Sequence, residues 1–363
     1  MIVTMLISGV LSVALCALMI PVAFRTGLVD HPGARKVHET VTPLAGGPAL
    51  FVVFLLTMAY LGLDSRFVQG LAIGGTLVFG VGLVDDLREV PATVRFAVQI
   101  AACLVMVYLA DLRLLDFGRL FWDDVLELGP LNAFITVFAA MGVINAFNLI
   151  DGMDGLAGTI FIVAAAGMAW FAGHGAQLQM VLLLGSLIAA VAGFLLWNAR
   201  WPWNPRGRLF LGDSGSVLLG FVLAWSFIDL GNDQPYLARR AFMPITAVWL
   251  IAVPLLDTST LIWKRWREGR SAFSADQHHL HHAFLRAGFT VGQTWLAMTG
   301  LALAGAAIGV AFEFAGAPDY LSFWTFLALA FAYYFYMRRS WNQQRFLGRH
   351  FIYNERDVEP SEL

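Results

Sequence analysis

The chain of 363 residues is 59% hydrophobic and only 13% charged, against roughly 45–50% and 25% in soluble proteins, and its mean hydropathy is +0.70. That balance excludes a soluble multidomain protein, a secreted disulfide scaffold, a coiled coil and a disordered tail, and it predicts an all-α polytopic membrane protein. A formal charge of -2 provides no basic stripe for nucleic acid, and Cys16 and Cys103 both lie in apolar runs, where they read as small hydrophobes.

From Val3 to Phe24 no charge interrupts the apolar run, which is too long for a signal-peptide core and lacks a basic leader. Comparable runs follow at about 45–63, 67–84, 94–110, 131–150, 157–173, 176–197, 209–228, 241–263, 294–312 and 321–337, each near the ~20 residues that cross ~30 Å of hydrocarbon. The expectation is about eleven transmembrane helices. Of the 23 Lys and Arg, only Arg66, Arg113, Arg119, Arg239 and Arg240 fall on one side of this layout. The positive-inside rule then places the N-terminus outside and the C-terminus in the cytoplasm. One transmembrane catalytic domain is expected over 1–340, with a polar, basic cytoplasmic tail over 341–363 that anchors to the inner surface. Every polar segment of unusual composition falls at the cytoplasmic end: 30–47, 85–89, 145–158, 198–216 and 264–289. No internal repeat is visible, which weighs against a transporter of an anionic solute.

The first segment, DHPGARKVHETVTPLAGG from Asp30 to Gly47, offers Arg35, Lys36 and His38 to lipid headgroups or a nucleotide, or stops the first helix by charge alone. In GLVDDL, Gly82 to Leu87, the adjacent Asp85 and Asp86 suit a divalent cation or a proton-sharing pair, or a solvated helix end. NAFNLIDGMDGLAG, Asn145 to Gly158, spaces Asn145, Asn148, Asp151 and Asp154 three apart, so one helix face carries four oxygen-bearing side chains until Gly152 and Gly155 open the backbone. Oxygen ligands without Cys or His suit Mg²⁺ rather than zinc.

RLFLGDSGSVLLGF places Asp213 in an apolar span, either as a functional carboxylate or as the start of a helix beside Ser214 and Ser216. Asp257 in VPLLDTST has the same depth, and a structural and a catalytic role are equally open to it. DQHHLHHAFLRAGF, Asp276 to Phe289, holds His278, His279, His281 and His282. With no cysteine and no HExxH spacing it is a weak zinc signal, and beside Arg265, Arg267, Arg270 and Arg286 it reads better as a cationic cradle for phosphates. Acids for a metal, cations for phosphates and one membrane face together point to phosphoryl transfer on a membrane-borne acceptor.

These five segments, in order over about 30–350, resemble the polyprenyl-phosphate N-acetylhexosamine-1-phosphate transferase superfamily. Asn198 in LLWN and the run HLHHAFLRAGF are most similar to its undecaprenyl-phosphate N-acetylglucosamine-1-phosphate branch, the phospho-N-acetylmuramoyl-pentapeptide branch or another UDP-sugar being the alternatives. The resemblance implies attack by undecaprenyl phosphate on a UDP-sugar donor, release of UMP, and dependence on Mg²⁺, with Mn²⁺ as a substitute. It implies that Asp213 and Asn148 meet the metal and diphosphate, and that Asp85 and Asp86 act on the lipid phosphate, Asp85 as base. Asp151 and Asp154 shape the nucleotide pocket, Asn145 lies on the same substrate-facing side, and Asn198 seats the uridine. His279, His281 and His282 steady the diphosphate, Lys36 and His38 line the donor entrance, and Arg265 meets the sugar. His278 precedes the usual histidine run. The small-residue stretch AAVAGF at 189–194 suggests a homodimer contact.

Overall fold

The computed structural model describes residues 1–32, 40–121, 124–175, 177–232, 240–271 and 278–352. Each apolar run becomes helical: α1 (Ile2–Thr26), α2 (Gly46–Leu61), α3 (Arg66–Leu87), α4 (Ala92–Tyr108), α5 (Asn132–Ile150), α6 (Leu156–His174), α7 (Leu178–Asn198), α8 (Gly212–Gly231), α9 (Pro244–Leu250), α10 (Ala252–Arg267), α11 (Leu280–Arg286), α12 (Val291–Phe314) and α13 (Asp319–Gln343). Among the described residues, eight of these are long and apolar enough to cross a membrane, or nine with the bent pair α9–α10, and α2 and α4 are shorter apolar helices. The protein is therefore an all-α polytopic membrane protein. Two short hairpins complete it, β1 (Val29–Asp30) with β2 (Thr42–Pro43) and β3 (Arg345–Phe346) with β4 (Arg349–His350), both antiparallel.

The run expected as one span over 241–263 is not continuous: α9 and α10 meet at 85°. Pro254 supplies the cause. It has no N–H to give the carbonyl of Leu250, and its ring excludes that carbonyl from a straight helix, so α9 stops at Leu250 and Ile251 leaves helical geometry (φ -116°, ψ 29°).

Helix α8 is the axis of the fold, enclosed by α2, α3, α5, α6 and α9, with Phe221 and Trp225 fully buried along it. In a bilayer, lipid is as apolar as leucine, so helices associate through close packing of small residues. At the cleft-bearing end of α8 this packing is backbone to backbone. A Cβ added at Gly47 would stand 2.7 Å from the Gly215 nitrogen, and one at Gly82 2.5 Å from the Ser214 Cα. The segment before α8 is stitched to the start of α2, Phe210 N–H donating to the Pro43 carbonyl (2.9 Å) and Gly47 N–H to the Leu211 carbonyl (2.9 Å).

The small-residue stretch at 189–194 is occupied within the chain. Gly193 lies against the Gly9 carbonyl of α1, and the Ser12 hydroxyl donates to the Ala190 carbonyl at 2.6 Å. That stripe accordingly supports no contact between copies. Both cysteines are free and buried, as small hydrophobes. At the opposite end from the cleft, Arg240 grips Asp116 bidentately (2.8 and 2.9 Å). Burial alone would raise the Asp116 carboxyl, but Arg240 and the Gly118 N–H outweigh it and hold it below the ordinary range.

Candidate active site

The five polar segments converge on one cleft of about 690 Å³, bounded by the ends of α3, α5, α7 and α8 and by α11. A smaller cavity at the far end of α12 is lined by Glu313 and Asp319, whose carboxylates are already bound to Met243 N–H and Thr246, and to Arg119 N–H. The chemistry therefore gathers at the larger cleft.

Its two adjacent acids are used differently. Asp86 accepts from Asp213 N–H (2.7 Å), Ser214 N–H (3.1 Å) and the Ser214 hydroxyl (2.6 Å). The N-cap position of α8 is Leu211, which has no side-chain acceptor, so a carboxylate from α3 does the capping and answers the positive end of the helix dipole. Gly212 makes the fit possible, with φ of 76° and with Asp86 Oδ2 only 2.7 Å from where a Cβ would stand. Asp85 instead turns to Arg95 at the start of α4 and accepts from Val90 N–H at 2.8 Å. The same Arg95 Nη1 lies 3.8 Å from Asp213 Oδ2, so one guanidinium stands between both carboxylates.

Asp213 sits in the first turn of α8 with its side chain 41% exposed to the cleft. Asn148, from the last turn of α5, donates to Asp213 Oδ1 at 2.7 Å and to the Ser216 hydroxyl at 3.0 Å. Asp151 follows as the residue that ends α5. Burial, then the carboxylates of Asp213, Asp86 and Asp154, push its carboxyl up to about 8: the cluster carries more negative charge than its own cations balance. Among the described residues no three His, Cys, Asp or Glu enclose a metal ion. The donors are oxygens, and Mg²⁺ commonly takes only one or two carboxylates while water and phosphate fill its other positions. The donor set fits such an ion.

Asp154 and Asn198 act as braces at the cleft wall. Asp154 accepts from Arg200 Nε (2.9 Å) and Gly207 N–H (3.2 Å), while Asn198 accepts from Gly155 N–H (2.7 Å) and donates to the Leu209 carbonyl (2.9 Å). Together they tie the loop after α5 to the segment leading into α8. His282 lines the cleft. His281 is buried behind Gly152, where an added Cβ would come within 2.6 Å of its Nε2. Neither of its ring nitrogens has a hydrogen-bond partner among the described residues. Burial and the neighbouring His279 push its pKa down to about 3. His279 is bound through Nδ1 to Asp257.

Neither His279 nor His281 lines the cleft, and two further expected residues are elsewhere. Asn145 turns to Gln99 of α4 (2.9 Å) and to the Met141 carbonyl (2.8 Å), and Arg265 is fully buried in α10; neither lines the cleft. Lys36 and His38 lie outside the described residues, although Asp30 and His31, just before them, line the cleft. Sequence reasoning missed Arg95, Arg200 and Phe210. The first two were legible only as positive charge, and Phe210 only as one more apolar residue.

Residues 68–231, which carry α3 through α8 and most of this cleft, match glycosyl transferase family 4. The likeness extends much further than that segment. The undecaprenyl-phosphate alpha-N-acetylglucosaminyl 1-phosphate transferase of Escherichia coli (strain K12) is 35% identical over 336 residues, 90% of this chain and 88% of the relative. The proteins of the same name from Yersinia pestis and Haemophilus influenzae (strain ATCC 51907 / DSM 11121 / KW20 / Rd) are 35% and 33% identical, over 90% and 91% of this chain and 89% and 92% of their own lengths. With nearly the whole chain aligned, and the acid-rich helix ends inside the matched segment, this protein belongs to glycosyl transferase family 4.

Proposed function

We propose that the protein transfers N-acetylglucosamine-1-phosphate from UDP-N-acetylglucosamine to undecaprenyl phosphate, giving undecaprenyl-diphospho-N-acetylglucosamine and UMP, the first membrane step of a cell-surface polysaccharide pathway. The observation that carries this reading is the cluster Asp85–Arg95–Asp213–Asn148 at one cleft, in a chain whose relatives bear that activity in their names. The finer topology belongs to the same proposal: eleven crossings, with α2, α4 and the bent α9–α10 pair each counted once, an outside N-terminus, and a cleft facing the cytoplasm of the inner membrane.

The chemistry asks for an anionic lipid phosphate to approach an anionic diphosphate. Arg95 meets the acceptor phosphate and keeps Asp85 oriented. Asp85 holds the acceptor's proton as an acceptor oxygen bonds to the sugar-linked phosphorus and the bond to the UMP oxygen breaks. Asp213 and Asn148 are the residues that would hold Mg²⁺, which neutralises donor charge when bound; Mn²⁺ is the expected substitute. Asp86 fixes the backbone that presents Asp213. Asp154, Arg200 and Asn198 keep the nucleotide-side wall closed, and His282 supports the diphosphate.

The test is UMP release by purified protein in detergent with undecaprenyl phosphate, Mg²⁺, and either UDP-N-acetylglucosamine or UDP-N-acetylmuramoyl-pentapeptide. UMP from the first donor only, dependent on lipid and abolished by chelation, is expected. UMP from the second only would move the protein to the muramoyl-pentapeptide branch, and no UMP with either donor from folded protein would mean another UDP-sugar donor or a return to the transporter reading.

A further inference from the structure

Asp257 is 2% exposed in α10, in the first turns beyond the 85° break, and no part of the reaction proposed above uses it. A carboxylate at such depth is costly unless it is fully bonded, and this one is. Its Oδ2 meets His279 Nδ1 at 2.7 Å, and its Oδ1 accepts from Leu280 N–H and from the Tyr333 hydroxyl, both at 2.9 Å. An ionised carboxylate only accepts, so His279 Nδ1 carries the proton and Nε2 is left as the free position of the ring. The same bonds seat α11, because Leu280 is its first residue and its N-cap, His279, has no side-chain cap bond of its own. The other end of α11 is held by the chain beyond α13. Ile352 N–H donates to the Arg286 carbonyl at 2.7 Å, and Phe346 of β3 packs edge-on to Phe284 at 4.8 Å. His282, which lines the cleft, stands between these two attachments with its ring 5.9 Å from that of His279.

We infer that Asp257, backed by Tyr333, is a positioning residue of the reaction: it fixes His279 in the Nδ1–H tautomer and holds the histidine helix in register with the cleft. The inference rests on the transferase reading for its kinetic consequence but not for its tautomer. Asp257→Asn is the informative variant, because the amide can still accept from Leu280 and Tyr333 while its NH₂ now faces Nδ1, so the ring must move its proton to Nε2.

The experiment combines two readouts on full-length protein in detergent. The ¹⁵N spectrum of histidine-labelled protein, with His279 assigned by its loss in His279→Asn, should show the Nδ1–H form in the wild type and the Nε2–H form in Asp257→Asn. UMP release should fall about 10–100-fold in kcat, the scale of losing a partner that orients a functional histidine, with KM for UDP-N-acetylglucosamine changed less than about twofold. Tyr333→Phe, which leaves the His279 bond in place, should keep the wild-type tautomer and lose only a few-fold of kcat. A wild-type tautomer in folded Asp257→Asn overturns the inference, as does a switched tautomer with unchanged kcat. If the wild type itself releases no UMP, the transferase reading fails while the spectrum still decides the tautomer.

Discussion

Replacing Asp86 by Asn separates a structural carboxylate from a chemical one. Asp86 receives three hydrogen bonds from the first turn of α8 at 2.6–3.1 Å. Asn is nearly isosteric but keeps one acceptor oxygen. If that oxygen stays on Asp213 N–H, the new NH₂ confronts Ser214 N–H; only the Ser214 hydroxyl can adapt, by turning to accept. One backbone donor loses its partner, at about 1–3 kcal/mol, and a charge is removed from a helix N-terminus, at about 0.3–1 kcal/mol. The expected loss is therefore about 1–4 kcal/mol of stability. Asp213 is anchored through the same turn, and a misplacement of about 1 Å is worth about 100-fold in rate. Thermal unfolding in detergent and UMP release on the same preparation check both figures. Asp85→Asn, whose carboxylate bonds Arg95 and Val90 N–H and does not cap α8, should lose turnover with a smaller loss of stability than Asp86→Asn. If Asp86→Asn unfolds at the wild-type temperature yet has lost all activity, Asp86 acts in the chemistry and the capping argument is wrong.

Asp213→Asn should fold normally and lose Mg²⁺-dependent turnover. Saturating Mg²⁺ should raise the unfolding temperature of the wild type, by about 2.7 kcal/mol of binding linkage at 100 times Kd, and leave the variant unmoved; an equal shift in both removes Asp213 from the metal site. Gly152→Ala pushes a methyl to 2.6 Å from His281 Nε2, so UMP release should drop by about tenfold or more with the helical circular dichroism unchanged, and an active variant would show that the histidine segment can retreat. The Asp116–Arg240 pair has a depressed carboxyl pKa. Its stabilisation is therefore complete above the ordinary Asp value of about 3.9 and lost as pH falls through the lower folded value. Asp116→Asn should cost about 1–3 kcal/mol at neutral pH, and the difference from wild type in unfolding experiments should shrink as the pH is taken below about 3.9; a pH-independent difference contradicts the pairing.

Helix positions and the gathering of five polar segments at one end were legible in the sequence, because apolar runs and charge bias are local signals. The division of labour inside the cleft was not. Asp85 and Asp86 look identical as neighbours, and only the docking of α3 on α8 turns one to Arg95 and the other to a helix terminus. The two readings open for Asp213, a helix start or a functional carboxylate, turn out to be compatible, since it lies in the first turn of α8 and faces the cleft. Asn145, in step with Asn148 by spacing, is instead taken up by Gln99 of α4, a partner that only the docking of α4 on α5 supplies. Arg95 was counted only as a positive charge because nothing in its own segment pairs it with an acid ten residues before. Pro254 was visible in the sequence and marks the break between α9 and α10, but the apolar run on either side of it concealed the break.

The backbone contacts of Gly47 with Gly215 and of Gly82 with Ser214 limit how this protein can diversify. Where main chains touch, no neighbouring side chain can shrink to make room, so the helix ends that carry Asp86 and Asp213 are closed to gradual substitution. Part of the cleft's rim is under no such restraint: residues 31–32 and 88–91 belong to connections, which tolerate change far better than packed helices. New donor preferences would therefore be acquired by altering the rim around an inherited and nearly unalterable centre, and libraries aimed at other nucleotide sugars are best confined to those connections.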